Sequence, residues 1–100
     1  MNFNSILAIY DTKQVDMLKK QFMDQLYEKI REEKDYCART GETPRMSDQT
    51  YAEIQRMLGK CGNAFQVNAL EYFVFSKMEV PTWQDVEMKG WEDSNDALKT

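Results

Sequence analysis

Between Cys61 and Ser76 the chain carries one charged side chain, Glu71, and from Ala64 to Phe75 it is apolar on nearly every side of a helix. Ala64, Phe65, Val67, Ala69, Leu70, Tyr72, Phe73, Val74 and Phe75 leave no polar face, and a helix without one has to be buried. The chain has 100 residues, enough for a single core, so the rest of the sequence must be what encloses this segment. Asn63 is a suitable N-cap for it. The run Tyr72 to Phe75 also has high strand propensity, as does Ile6 to Tyr10, which leaves a small pairing of two short strands as the alternative for these residues.

Two amphipathic segments precede it. Val15, Leu18, Phe22, Leu26 and Ile30 recur in steps of three and four, widened by Met23 and Tyr27, which predicts a helix from about residue 12 to about residue 38. Such a helix is ~40 Å long, while a compact chain of this size has a radius of gyration of about 13 Å. Part of the stripe is therefore expected to lack cover within one chain, and Phe22, Leu26 and Ile30 are the residues expected to mediate self-association into a homo-oligomer. Thr40-Gly41 stops the helix, and Thr43-Pro44 continues a polar linker. Ser47 then caps a second helix, with Asp48 in its first turn and Met46 placed to pack near Tyr51. Tyr51, Ile54, Leu58 and Cys61 repeat at helical spacing up to Gly62, with Gly59 weakening the last turn.

After Pro81, Thr82-Trp83-Gln84-Asp85 reads as a capping box with Asp in place of Glu, opening a short helix that Gly90 would end at about Lys89. The expectation is an all-α fold of three main helices plus a short C-terminal one. Residues 1–90 form a single helical domain and 91–100 an acidic, fraying tail, with the apolar third helix packed between the first and the second.

Composition removes several kinds of chemistry. There is no His, so imidazole metal ligands, His-paired nucleophiles and histidine proton shuttles are excluded. Glu28, Glu32, Glu33 and Asp35 are dense, but the di-iron helix pattern needs a His three residues after a Glu. Asp93-Ser94-Asn95-Asp96 imitates part of a calcium loop without its Gly or closing Glu. The glycines at 41, 59, 62 and 90 form no nucleotide motif. Cys37 and Cys61 are too few and too far apart for a zinc site or a disulfide framework, and reduced thiols are expected. No apolar run reaches the roughly 20 residues of a bilayer span. A non-enzymatic, cytoplasmic protein without cofactor, metal or membrane association is the expectation.

Binding is what remains. Residues 1–60 hold ten basic and ten acidic side chains, whereas 61–100 hold three and seven, so the net charge of -4 lies in the C-terminal part. There, Trp83 and Trp91 flank the short helix among Asp85, Glu87 and Glu92, an aromatic anchor with an acidic rim that suits a basic protein surface. Seven Met and twelve aromatic residues exceed what so small a core needs, and such side chains make deformable contact surfaces. The expected role is a protein-binding inhibitor or adaptor, of the kind that virus-encoded accessory proteins supply. The second reading is a helix-turn-helix DNA-binding protein, regulatory or DNA-packaging, with the turn at Gly59 and Gln66 and Asn68 facing bases. Lys13, Lys19, Lys20, Arg39, Arg45 and Arg56 would have to form its basic stripe, because residues 61–76 contain no Lys or Arg to hold phosphates.

Overall fold

The computed structural model describes residues 12–99, which form four α-helices and no strand. They are α1 (Thr12–Thr40), α2 (Asp48–Lys60), α3 (Ala64–Glu71) and α4 (Trp83–Lys99), with α3 continued by one π-helical turn over Tyr72–Ser76. The expected all-α architecture is found. The strand weighed for Tyr72 to Phe75 is this π turn, and the one weighed for Ile6 to Tyr10 lies outside the described residues.

α3 is the axis of the molecule. Val67, Ala69, Leu70 and, in the π turn, Val74 have no exposed surface, and Asn68 is the one exposed residue of the helix. Asn63 caps its start, accepting the Gln66 N–H through Oδ1 at 2.9 Å. α3 touches α1 and α2, as expected, but its most extensive contact is with α4. Sequence reading left α4 too short to be the main cover.

On α1, Val15, Phe22 and Leu26 are buried, with Leu18, Met23 and Ile30 half-buried beside them. Phe22 meets Phe75 of the π turn with ring centroids 5.0 Å apart. The residues expected to drive self-association are therefore not a contact surface: Phe22 and Leu26 are core, and Ile30 packs on its edge. α3 and its π turn cover the stripe from within the chain. What projects is the end of α1 beyond Glu33, where Lys34, Asp35, Tyr36, Ala38, Arg39 and Thr40 are exposed. The shape follows, with extents of 52 × 23 × 21 Å and a radius of gyration of 15.3 Å.

α2 is built as its sequence signals indicate. Ser47 Oγ accepts the Thr50 N–H at 3.2 Å, and Tyr51, Ile54, Met57 and Leu58 face the core, followed by Cys61. Gly41 takes φ +75° and gives its N–H to the Cys37 carbonyl at 2.8 Å, the left-handed exit expected of it. Both cysteines are free thiols. Burial pushes Cys61 up to about 11 and also raises Cys37, helped there by Glu33 and Glu42, so neither is a ready thiolate.

The exit from α3 is less ordinary. The Lys77 N–H reaches the Tyr72 carbonyl at 3.0 Å, closing the wide turn, and the Glu79 N–H returns to the Phe73 carbonyl at 2.8 Å. Between them Met78 adopts φ 56°, a left-handed conformation that an L side chain takes at a cost of roughly 1–2 kcal/mol.

The fourth helix departs most from expectation. Its capping box forms: the Asp85 N–H donates to Thr82 Oγ1 at 3.2 Å and the Thr82 N–H to Asp85 Oδ2 at 3.0 Å. It does not stop at Gly90, however, but runs 17 residues to Lys99. Gly90 keeps a negative φ and is buried where α4 crosses α3: a Cβ there would lie 3.2 Å from Gln66 Cγ and 3.4 Å from its Cα and N. The glycine permits a close approach of two helices rather than a helix end.

Gly59 and Gly90 should thus respond oppositely to substitution. A Cβ at Gly59 meets nothing within 4 Å, so Gly59→Ala is expected to raise unfolding free energy by about 1 kcal/mol through helix propensity alone. Gly90→Leu would wedge α4 from α3 and is expected to cost roughly 1–3 kcal/mol. Urea unfolding of both variants checks this, and a Gly90→Leu protein as stable as the parent would contradict the packing role.

Candidate functional site

Several places among the described residues combine apolar surface with charge, and two of them stand out. The first is a groove of about 310 Å³ between the end of α1, the 41–47 loop and the start of α2, lined by Ile30, Glu33, Lys34, Pro44, Met46 and Tyr51 among others. Its polar groups serve the fold. Glu33 accepts the Tyr51 hydroxyl at 2.6 Å through Oε2, and the Arg45 N–H donates to Oε1. Lys34 lies 3.7 Å from Asp48. Burial pushes the Glu33 carboxyl up, but hydrogen bonds from Tyr51 and the Arg45 and Met46 amides, with Lys29 nearby, outweigh it and hold the group below its ordinary value. Burial and the hydrogen bond to Glu33 push the Tyr51 hydroxyl far above its own. The carboxylate thus ties the loop and α2 to α1.

The second place is the outer side of α4. Val86 and Gly90 face α3, and Trp83 lies half-buried against the core with Lys60 Nζ 5.8 Å from its ring centroid. On the opposite side, Gln84, Met88, Trp91, Asn95 and Leu98 follow one another in steps of four and three, which places them on one face. Met88 is 56% exposed, Trp91 68% and Leu98 55%. Asp85, Glu92 and Asp96, all exposed, border this stripe on one side and Glu87 borders it on the other. Within α4, Lys89 is turned inward, 3.3 Å from Asp93 and 4.4 Å from the centroid of the Tyr72 ring. It does not neutralise the border.

The five residues expected to bind a partner therefore separate. Trp91, Glu87 and Glu92 belong to the outer face. Asp85 is on its edge and also serves as the helix cap. Trp83 is packing, with its ring against the core. Met88, Leu98, Asn95 and Asp96 were not expected there. Their three-and-four spacing crosses Gly90 and was hidden by reading that glycine as a stop. The segment considered as a DNA-recognition helix is α3, buried at the centre; Gln66 takes the Gly62 N–H at 2.7 Å and packs on Gly90.

Among the described residues no group of three or more acidic or thiol side chains is placed to hold a metal ion, and no helix is long and apolar enough to cross a membrane. No protein-family model, curated protein or solved structure matches the chain.

The Glu33 contacts fix a pH dependence. A carboxylate whose pKa is lowered by folding stabilises the protein above its ordinary value of 4.5, and that contribution is lost as pH falls through the lower, folded value. Glu33→Gln is expected to lose about 1 kcal/mol at pH 7 through weakened hydrogen bonds, and the gap to the parent should narrow below about pH 4.5. Thermal melts from pH 3 to 7 test it; a gap that stays constant across that range would contradict the role of the charge.

Proposed function

We propose that the chain is a non-enzymatic protein-binding module, an inhibitor or adaptor, that engages its partner through the outer face of α4. The observation that carries this reading is an apolar stripe turned away from the protein's own core and bordered by Asp85, Glu87, Glu92 and Asp96, while Lys89 is turned inward. An amphipathic helix normally hides its apolar residues; α4 hides Val86 and Gly90 and also presents Met88, Trp91 and Leu98 to solvent. Aromatic and Met side chains supply affinity once desolvated, and the acidic border raises the encounter rate with a basic surface. Exposed Met17, Tyr27 and Tyr36 on α1 are scattered singly and need no such explanation. Self-association through Phe22, Leu26 and Ile30 is not part of this reading, because those side chains are used in folding. DNA reading through α3 has little support, since that helix exposes only Asn68.

Immobilised protein incubated with lysate of the source organism provides the test. The triple variant Met88→Ser, Trp91→Ser, Leu98→Ser should remain folded and lose the captured partner. Glu87→Lys with Glu92→Lys should weaken capture several-fold, and more so at low than at high salt. Capture that is the same for the parent and the triple variant, or no capture at all, would overturn the assignment of this face.

A further inference from the structure

Resting on that reading, we infer that the partner contributes a helix of its own, amphipathic and edged with Lys or Arg, which pairs lengthwise with α4. The stripe has the spacing of a coiled-coil seam. Gln84, Trp91 and Leu98 occupy d positions of a heptad and Met88 and Asn95 the a positions, so the seam covers two heptads, ~21 Å of helix. Of the flanking e and g positions, three hold the exposed acids Asp85, Glu87 and Glu92; Ser94 occupies the second g position, and Lys99 follows at e just past the last d residue. Residues at e and g choose the partner in such pairs, by attraction to opposite charge and repulsion of like. A second copy of this chain paired in parallel is the wrong occupant, because Glu87 at g would face Glu92 at e across the seam. A helix with basic e and g residues is the complementary one. Asn95 adds register: a polar residue at one a position favours the alignment that sets it against another polar group.

Two heptads form a short seam, and an isolated helix of that length is marginal in water. α4 meets this difficulty through its inner side, where Val86 and Gly90 are held against α3 and the Thr82–Asp85 cap fixes the first turn. One of the two helices is ordered before binding, which lowers the entropy lost on association.

The test uses the full-length chain and three fluorescein-labelled synthetic helical peptides of equal length. The first has an apolar a/d seam with one a-position Asn and Lys at every e and g. The second is identical but has Glu at e and g, and the third keeps the Lys edges but has Ser along the seam. Fluorescence anisotropy should show the first binding at least tenfold more tightly than either other peptide. That preference should be lost in Trp91→Ser with Leu98→Ser, whose circular dichroism should match the parent. Equal binding of the Lys-edged and Glu-edged peptides, equal binding of the Ser-seam peptide, or no binding of the first would each overturn helix pairing. If the first peptide fails while a protein is still captured through Met88, Trp91 and Leu98, only the helical form of the partner is wrong. If both fail, the protein-binding reading falls with it.

Discussion

The fold depends on one constraint: α3 is apolar on nearly every side and exposes only Asn68. Its apolar residues and those of the π turn that follows spread around most of the helix, so it must be wrapped rather than laid on a surface. In a chain this small, three other helices are just enough to do so. α1 supplies Phe22 and Leu26, α2 supplies Ile54 and Leu58, and α4 closes the remaining side through Val86 and Gly90. Surface ion pairs such as Arg31–Glu28 at 2.6 Å and Arg39–Asp35 at 3.3 Å, all well exposed, decorate this arrangement and contribute little to it.

The closing side sets the surface on which the proposed function rests. α4 can approach α3 closely because Gly90 has no side chain where Gln66 passes, and that contact fixes the rotation of α4 about its own axis. With Val86 and Gly90 turned inward, helical geometry turns Met88, Trp91 and Leu98 outward. The exposed stripe is thus a geometric consequence of how the core is sealed, and in the proposed function its acidic border is what would select a basic partner. Glu33 gathers Tyr51 and the Arg45 amide, so the loop before α2 is fastened to α1 along the groove it borders.

How far the sequence could be read follows the same physics. Periodicity and caps are local, and they located α1, the Ser47 and Asn63 caps and the Thr82–Asp85 box, each of which forms with the partners expected. Gly90 could not be read locally. A glycine that ends a helix and a glycine that lets two helices touch are the same residue, and only the position of Gln66 on another element distinguishes them. From that one ambiguity came the short fourth helix, the missed outer stripe and the placement of Trp83 beside Trp91 in one site. Phe22 and Leu26 lie in the core for a related reason: a stripe longer than a compact globule lacks cover only if the globule is compact, and this one is drawn out along α1.

The rotation of α4 is the claim on which the account turns, and its two tryptophans report it directly. Acrylamide quenching of the single-tryptophan variants Trp83→Phe and Trp91→Phe measures each ring alone. The account predicts that Trp91, 68% exposed, is quenched nearly as fast as tryptophan in a short unstructured peptide, while Trp83 is shielded and emits at shorter wavelength. Trp91 shielded in the isolated protein, or the two rings quenched alike, would mean that α4 presents a different face and that the stripe is not its binding surface.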